Sequence, residues 1–173
     1  MVREAMSADI DGVEKNYIEL LNYEKEHDAF TVWQLGVYPT KETAEEALSN
    51  GNLYVIEQTD GICASMILNR IQPEEYNMIP WKWNVEPEEV MVLHLLCVSP
   101  WKKGCGFGTQ MMEFAIQKAT ALHCKVIRLD TGSQNKPAIA FYTKFGFQLA
   151  GTTNMLIGGK IQHQNHFFFE LKI

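Results

Sequence analysis

A glycine-rich stretch lies where an apolar run gives way to an amphipathic one. It reads KKGCGFGT, residues 102–109, and it follows the apolar run VMVLHLLCV at residues 90–98. The backbone N–H groups of such a loop and of the first turn of a following helix attract an anion, and the helix dipole adds about half a positive charge. Glycine lets the anion reach the main chain because it has no side chain. The stretch therefore predicts a phosphate-binding loop, with a plain glycine-rich turn as the alternative.

Two familiar phosphate-binding motifs do not fit this loop. The chain contains no G-x-x-x-x-G-K-[ST] string, which excludes a Walker loop. A dinucleotide-binding fold is a closer rival, because Asp130 ends the next strand-like run about 22 residues after Gly108. Thr109, however, stands where the G-x-G-x-x-G fingerprint needs its last glycine. The roughly 65 residues after the loop also leave little room for such a fold.

Two segments have the spacing of one protein family. VSP at residues 98–100 matches a V-x-P strand end, and residues 103–108 match [RQ]-x-x-G-x-[GA], with Lys103 in place of the usual Arg or Gln. NKPAIAFYTKFGF, residues 135–147, matches N-x-x-A-x-x-[FL]-Y-x-x-x-G-F. With this order and spacing, the chain resembles the GNAT superfamily of acyl-CoA-dependent N-acetyltransferases, firmly so over residues 90–150.

The resemblance implies a fold and a reaction. The fold is α/β (α+β), the GNAT fold: a mixed, mostly antiparallel central sheet of six or seven strands, splayed at its centre, with helices on both faces. The reaction is direct transfer of the acetyl group of acetyl-CoA, the acyl-donor cosubstrate, to a primary amine of a small molecule or peptide, without a metal. A catalytically inactive acyl-CoA sensor of the same fold is the alternative.

The resemblance also assigns residues to the cofactor. The loop would hold the paired phosphates, and backbone groups at the end of the preceding strand would meet the thioester carbonyl and pantetheine. Asn135 would contact the cofactor or order the helix that follows it. The cofactor-binding residues expected in this way are Leu96, Cys97, Val98, Lys103, Gly104, Cys105, Gly106, Phe107, Gly108, Thr109, Asn135 and Tyr142.

Two side chains are the expected catalytic residues. Tyr142 matches the family's tyrosine that protonates the departing thiolate, and a packed tyrosine is the alternative. His94 is similar in position to a strand histidine assigned to proton removal in arylalkylamine N-acetyltransferases, and an imidazole with a pKa near 6.5 suits that role. A satisfied core histidine is its alternative reading. Glu88 and Glu89 are the fallback base, and some family members use only water chains.

The charge is distributed unevenly along the chain. Residues 1–90 carry 18 acidic and 6 basic side chains, whereas residues 91–173 carry 3 acidic and 9 basic ones. An anionic cofactor held by the second half and a cationic acceptor met by the first half would explain this, and chance distribution over solvated faces is the alternative. The resemblance places the acceptor among the first two helices, their connection and residues 72–89. Candidate residues there are Trp33, Tyr38, Trp81, Trp83 and Glu24.

The elements that must position these groups follow from the apolar patterns. Their order is β-α-α-β-β-β-α-β-α-β. The tail is predicted as a regular strand with alternate apolar residues on one face, so His163 and His166, three apart, should point to opposite sides and form no metal pair. The predicted segments are a strand at 2–9, helices at 7–26 and 40–51, a hairpin around TDG at 59–61, strands at 90–98 and 124–131, a helix after residue 106, a helix from Pro137 to Gly146 and a tail strand with Ile161, Phe167, Phe169, Leu171 and Ile173 on one face.

Length and composition set the remaining expectations. The 173 residues, 46% hydrophobic and 21% charged, suit a single domain over residues 1–173. No apolar run nears the ~20 residues that span a bilayer, and no signal-peptide pattern is evident, so a cytoplasmic enzyme without a membrane partner is expected. The four cysteines form no C-x-x-C pair and are expected to be reduced. Scattered basic residues argue against nucleic acid, and a homodimer is left open.

Overall fold

The computed structural model of the chain describes all residues from Met1 to Ile173. The helices and strands in chain order are β1 Val2–Glu4, α1 Ile10–Glu26, α2 Lys41–Ser49, β2 Leu53–Gln58, β3 Gly61–Asn69, β4 Val90–Val98, α3 Phe107–Ala121, β5 Val126–Thr131, α4 Lys136–Lys144, β6 Gln148–Ile157 and β7 Ile161–Lys172. The strands form one seven-stranded sheet in the order β1-β2-β3-β4-β5-β7-β6. β4 and β5 pair in parallel, whereas β1–β2, β2–β3, β5–β7 and β6–β7 are antiparallel. The predicted mixed sheet with helices is confirmed.

The predicted order was wrong in one respect, because it lacked β6. This strand ends the sheet, and its burial follows no simple alternation along QLAGTTNMLI. Its pairing with β7 also shifts register twice, at Leu149/Gly151 and at Thr153/Met155. An edge strand with two bulges and polar residues carries no period-two apolar signal, which is why the sequence did not reveal it.

The first strand is shorter than predicted. It ends at Glu4, and a short 3-10 turn over Ser7–Asp9 leads into α1. The Arg3 guanidinium donates to both Asp9 carboxylate oxygens at 2.7 and 2.9 Å, and the Met6 N–H donates to Asp9 at 2.7 Å. The Arg3 hydrogen bonds are the main cause that lowers the pKa of Asp9. Asp9 therefore fixes the turn before α1 through its side chain.

By its internal contacts the chain forms two compact units. The first unit comprises residues 1–29, 33–68 and 93–115. In its core, α1 packs with α2 against β2, β3 and β4. The buried residues of this cluster are Ile10, Val13, Tyr17, Ala44, Ala47, Leu53, Val55, Ile67, Leu95 and Cys97.

The second unit comprises residues 30–32, 69–92 and 116–173. Within it, β4 pairs with β5 from Val90–Val126 to Val92–Arg128, and both strands continue beyond this last pair. β7 pairs with β5 on one side and with β6 on the other. Residues 72–89 contain two 3-10 turns, Glu74–Met78 and Pro87–Glu89.

The predicted single apolar face of the tail strand is wrong. Asn165 has a left-handed φ of 53°, and four residues of β7, His163 to His166, lie opposite only three of β6, Met155 to Thr153. This bulge changes the side to which residues on either end of it point. Beyond it Phe168, Phe169 and Glu170 are all buried, so both faces of β7 are covered there.

None of the helices is both long and apolar enough to cross a membrane.

Candidate functional site

The glycine loop in the first unit has an unusual backbone. A 3-10 turn over Pro100–Lys102 leads into it, and Gly104 and Gly106 have φ values of +82° and +79°. The N–H of Gln110 donates to the Gly106 carbonyl at 3.0 Å, which begins the hydrogen bonding of α3. The N–H groups of residues 107–109 are therefore the first-turn donors that an α-helix leaves without a carbonyl of its own. A loop of this kind can bind an anion through its main chain.

The space beside the two glycines is open. A Cβ atom added to Gly104 or to Gly106 would meet no heavy atom within 4 Å. Both glycines and Cys105 between them are exposed. A ligand can thus approach the main chain directly, and side chains at these positions would occupy the volume through which it approaches.

The two loop lysines have different surroundings. The Lys102 ammonium lies 2.5 Å from the Asp60 carboxylate, and this contact lowers the pKa of Asp60 and raises that of Lys102. Lys103 is exposed. Lys103, the residue that replaces the family's Arg or Gln, is therefore the lysine available to an anion in the loop.

The strand before the loop, β4, has one irregular residue in its second half. Leu95 has a φ of +48°, a left-handed conformation that β-strands exclude and that leucine rarely adopts. The peptide groups around it therefore depart from the regular strand pattern. The last pair of the β4–β5 ladder lies three residues earlier, at Val92. Leu96, Cys97 and Val98, which were predicted to bind through their backbone, directly follow this irregular residue. No residue type in the sequence marked Leu95 as irregular.

Side chains around Leu95 differ in burial. Leu95 and Cys97 are buried in the core of the first unit, whereas His94, Leu96 and Val98 are half-buried. The Cys97 thiol donates to the Asn16 carbonyl at 3.8 Å, and burial, followed by Glu24, raises its pKa to about 12. Cys97 therefore keeps its proton at neutral pH and cannot act as a thiolate nucleophile there.

The fallback bases at the start of β4 differ from each other. Glu89 lies 2.5 Å from the Lys125 ammonium, and the hydrogen bond from Lys125 is the main cause that lowers the pKa of Glu89. A carboxylate with a lowered pKa is a weaker base than an ordinary one. Glu88 is exposed. The contact with Lys125 therefore argues against Glu89 as the base.

The second family motif lies in the second unit. Asn135 precedes α4, and its side-chain oxygen accepts the Ala138 N–H at 3.2 Å, which orders the start of that helix. Tyr142 lies in α4 and is buried, 7% exposed. Burial, and after it the charge of Asp130, holds the pKa of the Tyr142 hydroxyl well above its usual range. Tyr142 is consequently a neutral proton donor at physiological pH.

The aromatic acceptor candidates are built into their surroundings. Trp33 and Tyr38 pack against the core of the first unit. Trp81 donates its indole N–H to the Tyr76 carbonyl at 2.8 Å, and the Arg128 guanidinium lies 4.2 Å from its ring centre. The remaining two candidates are Trp83, which is half-buried, and Glu24, which is buried in α1.

A buried ion pair anchors the residues before β4. Glu170 is fully buried, and its Oε1 accepts the N–H groups of Lys82 and Trp83 at 2.5 and 3.3 Å. Arg128 lies 3.6 Å from Glu170 and donates to the Trp83 carbonyl at 3.2 Å. Charged side chains of β5 and β7 thus fix the main chain at residues 82–83.

The structure also brings together groups that the sequence did not connect. Tyr76 donates to Asp130 at 2.8 Å, and His166 lies 2.8 Å from the other Asp130 oxygen. His163 and His166 were predicted to point to opposite sides of a strand, and this is wrong, because their Nδ1 atoms are 3.0 Å apart. The bulge at Asn165 brings the two rings to one side.

Comparisons with known proteins agree with this architecture. The model of the acetyltransferase (GNAT) family matches residues 19–147. An uncharacterized N-acetyltransferase of Methanocaldococcus jannaschii is 37% identical over 68 residues, 39% of this chain and 30% of the relative, so the match spans less than a third of that protein.

Two solved structures share the fold. A GNAT-family acetyltransferase of Streptococcus agalactiae has a TM-score of 0.81 at 16% identity, covering 100% of this chain and 95% of that one. A candidate acetyltransferase of Salmonella typhimurium, solved with its cofactor acetyl-CoA, has a TM-score of 0.67 at 17% identity, covering 99% and 92%. The chain belongs to the GNAT acetyltransferase family.

Proposed function

We propose that the chain is an N-acetyltransferase that moves the acetyl group of acetyl-CoA directly to a primary amine of a small molecule or peptide. The proposal takes residues 1–173 as one catalytic domain that works in the cytoplasm. The observation that carries it is the exposed, positive-φ glycine pair at the N-terminus of α3, with open space at both Cα atoms. The related fold solved with acetyl-CoA supports the choice of cosubstrate.

The loop residues fit the diphosphate of coenzyme A. The main chain of Gly104 and of residues 106–109 supplies N–H donors, whereas the Cys105 N–H donates to the Lys102 carbonyl. The α3 dipole adds positive potential, and exposed Lys103 adds a full charge. No metal is needed for this binding, because the donors are main-chain groups and a lysine. The bound thioester supplies the activated acetyl group.

Each catalytic task has a candidate in this chain. A primary amine with a pKa near 10 arrives mostly protonated, and half-buried His94 is the proposed base that removes a proton. Backbone N–H groups beyond the irregular Leu95, from Leu96 to Val98, would stabilise negative charge on the carbonyl oxygen. Tyr142 would donate its proton to the departing sulfur.

The acceptor is proposed to be a cationic amine and not an anionic one. Acidic residues outnumber basic ones threefold over residues 1–90. Such an excess raises the local concentration of cations. Equal turnover of anionic and cationic amines in a panel would contradict this part of the proposal.

The test of the proposal is CoA release with a panel of primary amines, for the wild type and for Tyr142→Phe. Removing a general acid typically lowers turnover about 10²- to 10⁴-fold. We expect kcat to fall within this range while acetyl-CoA affinity, measured by calorimetry, stays nearly unchanged. Phe141→Leu, a change at the neighbouring half-buried ring, is the matched control. Tight acetyl-CoA binding without turnover of any amine would instead identify an acyl-CoA sensor.

A further inference from the structure

A buried chain of polar side chains in the second unit has no part in the mechanism above. Tyr76 and His166 are each 2% exposed, and both contact Asp130, at 2.8 Å in each case. His166 Nδ1 lies 3.0 Å from His163 Nδ1, and His163 Nε2 lies 3.2 Å from Gln134 Oε1. The chain leads from the interior to half-buried His163.

The distances determine where the protons lie. His166 Nε2 faces a carboxylate oxygen, so it must carry a proton. When both rings are neutral, His166 Nδ1 is therefore unprotonated, and His163 must carry its proton on Nδ1 to bridge the 3.0 Å gap. His163 Nε2 is then unprotonated and is the open position for a further proton. It faces the Gln134 oxygen at 3.2 Å, so this contact has no donor until that proton binds.

One added proton can be accommodated, and a second cannot. After a proton binds at His163 Nε2, the Nδ1 proton of His163 can move to His166, which becomes an imidazolium beside the Asp130 carboxylate. His163 then donates from Nε2 to the Gln134 oxygen, so each contact has a donor and an acceptor. A second proton would place two N–H groups against each other at 3.0 Å. The hydrogen bonds thus leave room for one added proton, which the two rings share.

We propose that this shared proton tunes the acidity of Tyr142 through Asp130. The inference rests on the proposed function, in which Tyr142 donates a proton to the departing sulfur. His163 and His166 act on Tyr142 by changing the charge that balances Asp130, and they contact neither substrate.

The sign of the effect follows from electrostatics. Asp130 is among the causes that raise the pKa of the Tyr142 hydroxyl. With both rings neutral, the carboxylate accepts hydrogen bonds from Tyr76 and His166. With His166 as an imidazolium, a full positive charge 2.8 Å away offsets it. The hydroxyl of Tyr142 then loses a proton more readily, and it is a better acid for a thiolate.

The groups around the histidine pair come from several elements. Asp130 of β5 and His163 of β7 both face His166. Tyr76 contacts Asp130 from the 3-10 turn Glu74–Met78. Tyr142 of α4 and Arg128 of β5 act on Tyr76 by charge. Phe168, which meets the His166 ring edge-on, does not titrate.

The arrangement depends on a local departure from regular structure. Asn165, the second of the two residues between the histidines, has a φ of +53°. A strand without this bulge would separate the rings to opposite faces. Bulges and left-handed non-glycine residues concentrate at functional sites, since they cost stability and re-aim side chains.

The experiment uses nuclear magnetic resonance on the full chain. Nitrogen-15 histidine spectra report the tautomer and protonation of His163 and His166, and 3-fluorotyrosine at position 142 reports the charge near Tyr142. We expect both rings to follow one common pH midpoint, and the fluorine signal to shift with that same midpoint. Two separate pH midpoints for the histidines would overturn the inference, and so would a fluorine signal that does not shift at the histidine midpoint.

Two variants sharpen this measurement. Asp130→Asn keeps an oxygen for the Tyr76 hydroxyl but removes the charge, and we expect the shared midpoint to fall by about one to three pH units. Asp11→Asn, an exposed carboxylate of the first unit, is its matched control and should leave the midpoint unchanged. If Asp130→Asn does not fold, His166→Gln serves instead, and it should abolish the pH response of the fluorine signal.

The kinetic arm separates this inference from the proposed function. The pH profile of kcat should contain the histidine midpoint in the wild type and lose it in His166→Gln. A profile that is unchanged by His166→Gln would overturn the inference while the acetyltransferase stands. If the wild type acetylates no amine, the proposed function fails, and the resonance measurements still decide whether the pair controls the charge at Tyr142.

Discussion

In the first unit the glycine loop presents main-chain atoms at the surface, whereas in the second unit the polar groups that stand out are buried side chains. Gly104 and Gly106 are exposed and present backbone to open space. Glu170 and His166 are almost completely buried and bond to residues distant in sequence. The loop depends on glycines, which have no side chain to block the main chain. The buried side chains depend on the hydrogen-bond and charge partners around them.

This difference separates binding from stability. A main-chain cradle at the surface adds little to the free energy of unfolding, so its substitutions should change ligand affinity. Buried charges are costly unless they are paired, so removal of one partner should destabilise the fold. The three predictions below test this division.

The largest effect is expected at the buried ion pair of the second unit. Glu170→Gln keeps an oxygen for the Lys82 and Trp83 N–H groups, but it leaves the Arg128 charge buried without a counterion. Breaking such a pair typically costs about 3 to 5 kcal/mol. We expect a loss of this size in the free energy of unfolding, measured by urea denaturation.

The control for this change is a surface pair of the first unit. Lys41 contacts Asp11 at 2.6 Å, and their side chains are 39% and 84% exposed. Lys41→Met should shift the urea midpoint very little, because exposed pairs are screened by solvent. If Glu170→Gln and Lys41→Met had similar effects, buried charge would not be what stabilises the second unit.

The next effect concerns ligand affinity in the first unit. Gly106→Val places a branched side chain at a φ of +79°, in the open space that an anion would occupy. We expect acetyl-CoA affinity, measured by calorimetry, to fall more than about tenfold. Gly159→Val is the control, because Gly159 also has a positive φ, +69°, and open space, but lies in the β6–β7 turn. Equal affinity in the two variants would refute the placement of the phosphates.

The same division explains what the sequence could and could not predict. A main-chain site leaves a local signature, since KGCGFG occupies consecutive positions between a strand and a helix, and the Tyr142 motif is equally local. The buried network has no such signature, because Tyr76 and Asp130 are 54 residues apart and Asp130 and His166 are 36 apart. Their meeting depends on strand pairing across the sheet.

Register is the particular step at which the prediction failed. The pattern HQNH was interpreted with a strict period of two, which places the two histidine rings on opposite faces. One left-handed residue, Asn165, was enough to bring both rings to the same side. Leu95 is a similar case in β4, where an apolar residue adopts a left-handed conformation that its residue type did not predict. Asparagine tolerates this conformation, so Asn165 offered a weak hint, whereas Leu95 offered none.

The smallest effect, and the one that joins stability to the histidine pair, concerns mild acid. Burial, and after it the neighbouring His166, lowers the pKa of His163 below 6.5 in the folded chain. The unfolded chain therefore binds more protons than the folded one in this range, and stability must fall as the pH drops below about 6.5.

His163→Gln removes this titration and keeps an N–H donor for His166. The slope of unfolding free energy against pH between 7 and 5 should be shallower in His163→Gln than in the wild type, and unchanged in the control His123→Asn, an exposed histidine outside the network. A wild-type slope that His163→Gln leaves intact would mean that the second unit does not exclude the second proton, and the contrast with the first unit would then rest on Glu170 alone.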